Sequence, residues 1–120
     1  MLSNSSPEER RNRHDNVFDG LLIGAEEPSL VAGYLAGHDF SDNTRKAIKN
    51  DLRKFARWFS EANRELFIVK RVTLRDVTDF RNYLHRDKRQ AVASINRALV
   101  VIRRFFDWLV RQGKVEMNWV

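Results

Sequence analysis

The chain of 120 residues contains no cysteine, which excludes disulfides and thiolate metal sites. Its three histidines (His14, His38 and His85) are scattered, so we expect neither a metal site nor a cofactor. No apolar run approaches the roughly 20 residues that cross a bilayer, and we expect no membrane partner. A Pro-Glu-Glu sequence at 7–9 stands where the apolar part of a signal segment would begin, which predicts a cytoplasmic protein.

Residue patterns of catalytic centres are also lacking. The chain has no glycine-rich phosphate loop, no Ser/His/Asp grouping and no Glu-rich helical pair for two metal ions. Asp76 and Asp79 lie three residues apart, but helix capping and solvation explain them more simply than acid–base chemistry. We therefore expect no catalytic residue and no small-molecule ligand in this chain.

Positive charge is present in excess and is unevenly distributed. The formal net charge is +6. Residues 1–40 hold 3 basic and 7 acidic residues, whereas residues 41–120 hold 19 basic and 9 acidic residues. A basic module behind an acidic leader favours a polyanionic partner, although a well-solvated helical surface would have a similar composition.

Proline occurs only at Pro7 and Pro28, and strand-like alternation is scarce, so we expect an all-α bundle of four helices. Residues 1–24 are expected to form a flexible tail and residues 25–118 the helical domain. Glu26 and Glu27 precede the first helix at its positive end. The predicted helices begin near Pro28 and end at Gly37, then cover about 43–63, 74–87 and 92–112.

Apolar residues recur at helical spacing in the longer helices and predict the core. Ser41 and Thr73 are predicted N-caps, Thr73 with Asp76 in a capping box, and Gly113 follows the last helix. Trp58 and Trp108 lie off these stripes. The predicted core positions are Ile48, Leu52, Phe55, Phe59, Leu74, Val77, Phe80, Leu84, Ile95, Leu99, Ile102, Phe106 and Leu109.

Cationic and amide side chains lie opposite the apolar stripe of the second helix and at the start of the fourth. Phosphate contacts require cations, and base reading uses Arg, Asn or Gln. Free N–H groups at the two helix starts would add to phosphate binding. The predicted DNA-binding residues are Asn43, Thr44, Arg45, Lys46, Lys49, Asn50, Arg53, Lys54, Lys88, Arg89, Ser94, Asn96, Arg97 and Arg104.

Three segments together resemble the N-terminal core-binding domain of tyrosine recombinases, the lambda-integrase-like family. They read SDNTRKAIKNDLRKFARWF (41–59), VTLRDVTDFRNYL (72–84) and AVASINRALVVIRRFFDWLVRQGKVEMN (91–118). The recurring features are a Ser-x-x-Thr-Arg helix start, an Asp-Leu-x-x-Phe sequence, and Ser-x-Asn-Arg followed by Arg-x-Phe-Phe-x-Trp-Leu. Their order and spacing carry the resemblance.

The resemblance implies a SAM-like domain that forms half of a C-shaped clamp on double-stranded DNA, with the second and fourth helices at the major groove. Ala93 stands where a polar residue is common, and Ile48 where an aromatic is usual. Asn118-Trp119 replaces the usual Asn-Pro exit, and 119–120 would begin the linker to an absent catalytic domain. The fragment would then bind DNA as a monomer without cutting it.

The parent protein, by the same resemblance, would be a bacterial, phage or mobile-element recombinase. It would cut and rejoin DNA as a tetramer and associate with the nucleoid when bound. A helical protein-interaction module without a nucleic-acid role is the alternative, since fold alone does not settle function. A small helix-turn-helix regulator fits less well, because the link at 60–73 is long.

Overall fold

Four α-helices build the computed structural model, which describes Phe18 and residues 20–116. Short loops and one 3-10 turn (Val69–Arg71) connect them. Within these residues there is no strand, and the only β-type pairing is an isolated bridge between Ile23 and Phe67. The all-α prediction is confirmed. The helices are α1 (Glu27–Ala36), α2 (Asp42–Asn63), α3 (Leu74–Arg86) and α4 (Val92–Arg111).

The helix ends follow the predicted capping residues. The Ser41 hydroxyl accepts the Thr44 N–H at 3.2 Å. At α3, Thr73 Oγ1 accepts the Asp76 N–H at 3.2 Å, and Asp76 Oδ2 accepts the Thr73 N–H at 2.8 Å, which completes a capping box. Gly113 has φ +69° beyond α4, a left-handed conformation that glycine adopts without steric cost. Local sequence therefore marks where α2 and α3 begin and where α4 ends.

The apolar stripes meet where α2, α3 and α4 pack against one another. The rings of Phe55 and Phe80 are 5.1 Å apart in an edge-on contact. A fully buried phenylalanine stabilises the fold by about 1.5–3 kcal/mol. The predicted positions that are buried are Ile48, Leu52, Phe55, Phe59, Phe80, Leu84, Ile95, Ile102, Phe106 and Leu109, while Val77 and Leu99 are half-buried.

Leu74 was predicted to face the core, and this is wrong because it is 55% exposed. It precedes Phe80 by six residues, so at about 100° per residue it lies roughly 120° away from the buried face. The first turn of α3 is instead anchored by the capping box and by buried Val72 just before it.

The two tryptophans off the main stripes connect neighbouring helices. Trp108 packs against Tyr34 of α1, with ring centroids 5.5 Å apart. A Cβ atom at Gly33 would lie 3.5 Å from the Trp108 ring, an ordinary van der Waals distance, which shows how closely α1 lies against α4. Trp58 packs instead against Phe80 and Tyr83 of α3. The aromatic residues are therefore used mainly in packing.

The packed part of the chain begins before residue 25, the predicted start of the domain. Phe18 is buried against Phe67, with ring centroids 5.6 Å apart. Gly24 donates its N–H to the Phe67 carbonyl at 2.9 Å, and Phe67 donates to the Leu22 carbonyl at 3.0 Å. The rest of the predicted tail, residues 1–17 and 19, and the predicted linker at 119–120 lie outside the described residues.

Glu27 lies in the first turn of α1, at the end of the helix where the sequence predicted it. Its side chain is buried, and Oε2 accepts the Val69 N–H at 3.0 Å. A Cβ atom at Gly24 would lie 2.7 Å from Glu27 Oε1, so the carboxylate needs a glycine there. Burial raises the pKa of Glu27, partly offset by the Val69 N–H. The residue attaches α1 to the 3-10 turn.

No helix among the described residues is long and apolar enough to span a membrane.

Replacing Thr73 with alanine should lower the free energy of unfolding by about 1 kcal/mol, because the Asp76 N–H loses its acceptor. Thr78→Ala is the matched control, since Thr78 is exposed within the same helix. It should change stability by less than about 0.5 kcal/mol. Urea unfolding followed by circular dichroism measures both, and equal effects of the two substitutions would contradict the capping role.

Candidate nucleic-acid interface

The polar face of α2 is open to solvent. It lies opposite the buried Ile48 and Phe55, so its side chains are not needed for packing within the described residues. Thr44 is also engaged locally, because its Oγ1 lies 2.9 Å from the Ser41 hydroxyl that donates to it. The exposed candidates on α2 are Asn43, Thr44, Lys46, Asn50 and Lys54.

The start of α4 and the loop before it add a second set of polar side chains. Arg89 adopts the left-handed conformation (φ +48°) in this loop. Lys88 Nζ lies 5.8 Å from the centre of the Tyr83 ring. Ser94 is half-buried and the others in this set are exposed: Lys88, Arg89, Asn96 and Arg97.

One ion pair joins the two sets. Arg97 Nη2 of α4 lies 3.6 Å from Asp51 Oδ1 of α2, a distance longer than a hydrogen bond. The Asp51 side chain is 3% exposed, whereas that of Arg97 is 60% exposed. Lys54 lies three residues after Asp51 on α2, and its charge also acts on the carboxylate, so Arg97 of α4 lies close to a predicted cation of α2.

The Asp51 carboxylate is poorly satisfied for a buried charge. Its Oδ2 has no hydrogen-bond partner among the described residues. Burial raises the pKa of Asp51, and the nearby Arg97 and Lys54 cations lower it only in part. Two predicted DNA-binding cations therefore lie near enough for their charges to act on the carboxylate, whose burial is a cost to the folded state.

Other predicted residues point away from this surface. Arg45 and Lys49 line a shallow depression together with α1 residues, among them Val31 and Leu35. Arg45 Nε also donates to the Phe40 carbonyl at 3.3 Å. Arg104 lies near Tyr34 of α1, where its charge lowers the pKa that burial raises. Arg53 is half-buried. The candidate set therefore divides between the α4 side and the α1 side of α2.

The two helix starts differ in their free donors. At α2 the Ser41 hydroxyl already occupies the Thr44 N–H. At α4 the N-cap is Ala91, which supplies no side-chain hydrogen bond to the first turn. Of these two starts, that of α4 therefore leaves its first-turn N–H groups without a bond from the N-cap side chain, which favours an anion there.

Asp51 was not among the predicted site residues, although its position gave a usable signal. It lies three residues after Ile48, directly before Leu52 and four residues before Phe55, so it falls at the border of the apolar stripe. A charged residue at such a position needs a partner, and Arg97 was already a candidate on the facing helix. The pairing itself depends on how α2 and α4 pack, which periodicity does not specify.

Metal-binding side chains are not grouped in the described part of the chain. No cluster of three or more His, Asp or Glu residues occurs there that could hold an ion.

Changing Asp51 to asparagine should make stability less dependent on pH. The pKa of Asp51 in the folded protein is above its ordinary value of 3.8, because burial disfavours the charged form. Below pH 3.8 the carboxyl is protonated in both the folded and the unfolded chain and costs nothing. As the pH rises the unfolded chain ionises more readily, so the folded protein loses stability. Between about pH 4 and pH 7 the variant should therefore gain stability relative to the unchanged protein. Glu27 is present in both proteins, and its titration cancels in the difference.

Chemical denaturation of both proteins across this pH range measures the effect. A stability difference that stays constant with pH would contradict the cost assigned to the buried carboxylate.

Comparison with known proteins gives one match. The family model for the phage integrase N-terminal SAM-like domain matches residues 32–113, about two thirds of the chain. This span includes α2, α3 and α4 entirely, and with them both Asp51 and Arg97. Searches of curated proteins and of solved structures returned no significant match. The fold and the family match together establish that the chain belongs to the phage integrase N-terminal SAM-like domain family.

Proposed function

We propose that this chain binds double-stranded DNA sequence-specifically, as the N-terminal domain of a site-specific tyrosine recombinase. The observation that supports the proposal is the contact between Arg97 and Asp51, which holds a predicted DNA-binding residue of α4 against α2, close to Lys54. DNA would lie against the exposed faces of α2 and of the first turns of α4. Family membership supports the recombinase context.

The side chains at this surface suit both parts of DNA recognition. Lys46, Lys54 and the loop residues Lys88 and Arg89 are exposed cations for phosphates. Asn50, Asn96 and Arg97 carry the amide and guanidinium groups that read adenine and guanine in the major groove. α4 has 20 residues, so it is roughly 30 Å long, enough to reach into a groove about 12 Å wide.

The start of α4 provides a further phosphate-binding element. Its first-turn N–H groups receive no bond from the N-cap side chain of Ala91. A helix N-terminus carries about half a positive charge, and a DNA phosphate there would take the place of a cap. Lys88 and Arg89 precede this turn directly and would bind neighbouring phosphates.

We further infer that the parent protein carries its DNA-cutting residues in another domain and acts as a tetramer on two duplexes. The part described here would supply half of a clamp, so as an isolated domain it should be monomeric and should bind more weakly than the parent. Its partner would be bacterial, phage or mobile-element DNA, which places it in the cytoplasm at the nucleoid.

Duplex affinity should depend strongly on salt. If about four to six phosphates are neutralised, log K should fall against log[salt] with a slope of about −4 to −5. Lys46→Ala and Lys54→Ala should each reduce the steepness by about 1. Lys114→Ala is the matched control, because Lys114 lies beyond the far end of α4 and should leave the slope unchanged.

Fluorescence anisotropy with a labelled duplex at several salt concentrations measures these slopes. A slope near zero would contradict DNA binding by this surface and would favour a protein-interaction module.

Arg97→Lys should reduce sequence selectivity while preserving the fold. Lysine keeps a positive charge beside Asp51 but loses the planar fork that binds guanine through two hydrogen bonds. On a duplex selected by the unchanged protein from a random library, binding should weaken by about 1–3 kcal/mol. Scrambled DNA should be bound almost as before.

Arg103→Lys is the control, since Arg103 is exposed on the same helix but was not predicted to contact DNA. If Arg97→Lys weakened binding equally on selected and scrambled duplexes, Arg97 would be a phosphate contact and not a base-reading residue.

A further inference from the structure

Asp51 and Arg97 form an asymmetric pair. The carboxylate is almost fully enclosed and the guanidinium is mostly exposed. Nη2 of Arg97 lies 3.6 Å from Oδ1 of the carboxylate. A guanidinium has five N–H donors in a fixed plane, so most of them stay available to a ligand while one edge is held.

We propose that Asp51 is a positioning residue, which holds the Arg97 guanidinium in the orientation that reads a base. This rests on the proposed DNA-binding function and deepens it. An arginine on an exposed helix face samples many rotamers, and fixing it before binding reduces the entropy lost when DNA is bound. The carboxylate itself does not touch DNA, because it is enclosed by the protein.

The position of Asp51 in the core makes it a rigid anchor. It lies on α2 between core residues Ile48 and Leu52, so its backbone cannot shift without disturbing the packing against α4. Its second oxygen, Oδ2, has no hydrogen-bond partner among the described residues. A carboxylate in the protein interior attracts a nearby cation more strongly than one in water does, because the surroundings screen the charges less, and Arg97 is the cation in contact through Oδ1.

The sign of the effect separates positioning from simple electrostatics. Asp51 is a negative charge near a surface proposed to bind phosphates, so removing it would raise the affinity for any DNA if charge alone mattered. If Asp51 positions Arg97, its removal should instead lower the affinity for the selected duplex, because Arg97 would lose the orientation that reads the base. The two explanations therefore give opposite results with the same duplex.

The test compares Asp51→Asn with the unchanged chain on a duplex selected from a random library and on a scrambled duplex. Asn has nearly the same shape, and circular dichroism melting checks that the variant folds. Binding to the selected duplex should weaken about 3- to 30-fold, and binding to the scrambled duplex should stay the same or strengthen. Stronger binding to both duplexes would overturn the positioning role.

Asp79→Asn is the matched control. Asp79 Oδ2 lies 4.0 Å from Arg75 Nε within α3, and both side chains are exposed, so this substitution removes the same charge from a surface pair. It should not reduce the preference for the selected duplex. A reduction equal to that of Asp51→Asn would show that the loss is a general effect of charge.

A double-mutant cycle links the effect to Arg97. In an Arg97→Lys background the guanidinium is absent, so Asp51→Asn should cost little further selectivity. The same loss in both backgrounds would assign the effect to the fold and overturn the proposal. Lysine is used because alanine would leave the buried carboxylate without a cation.

A measurement on the free protein keeps this proposal separate from DNA binding. The ¹H–¹⁵N heteronuclear NOE of Arg97 Nε should fall to the value of a freely rotating side chain in Asp51→Asn. An unchanged NOE would overturn positioning even if DNA is bound. If the NOE falls in Asp51→Asn but the unchanged protein selects no duplex from the library, the proposed DNA-binding function is contradicted. Asp51 would then hold Arg97 without any role in recognition.

Discussion

The candidate surface of this domain is organised by one buried charge between two long helices. Asp51 lies within the core-facing side of α2 and is compensated by Arg97 from α4. Placing a carboxylate there is costly, and apolar residues of similar volume often stabilise a fold as well as a buried ion pair does. We infer that the value of the pair lies in the surface proposed to bind DNA, where it holds Arg97 of α4 close to Lys54 of α2.

The same three-helix core supports that surface from below. α2, α3 and α4 pack through phenylalanine and aliphatic side chains, and Trp108 and Glu27 attach α1 and the 3-10 turn around them. Because nearly all aromatic residues are used in packing, the exposed faces are left to polar and basic side chains. A recognition surface formed by helices on a packed core is positioned more rigidly than one formed by loops.

Helix positions and most core residues could be predicted from the sequence, because capping residues and helical spacing act locally. Thr73 with Asp76 and Gly113 mark helix ends in this way. The burial of Glu27 and of the packed residues before 25 could not be predicted, since it depends on contacts distant in sequence, such as Glu27 with Val69. Leu74 was predicted wrongly because its angular distance from Phe80 on the helix was not taken into account. For the candidate site, the residue types could be predicted from the sequence. That Arg45 and Lys49 lie beside α1, away from Arg97, could be seen only from the way the helices pack.

The most direct test of a shared DNA-facing surface is an NMR titration of the ¹⁵N-labelled chain with duplex DNA. We expect amide shifts to cluster on α2 between 43 and 54 and on the first turns of α4, including both Asn50 and Arg97. Shifts confined to α1 or α3, or to only one of the two proposed helices, would contradict the account.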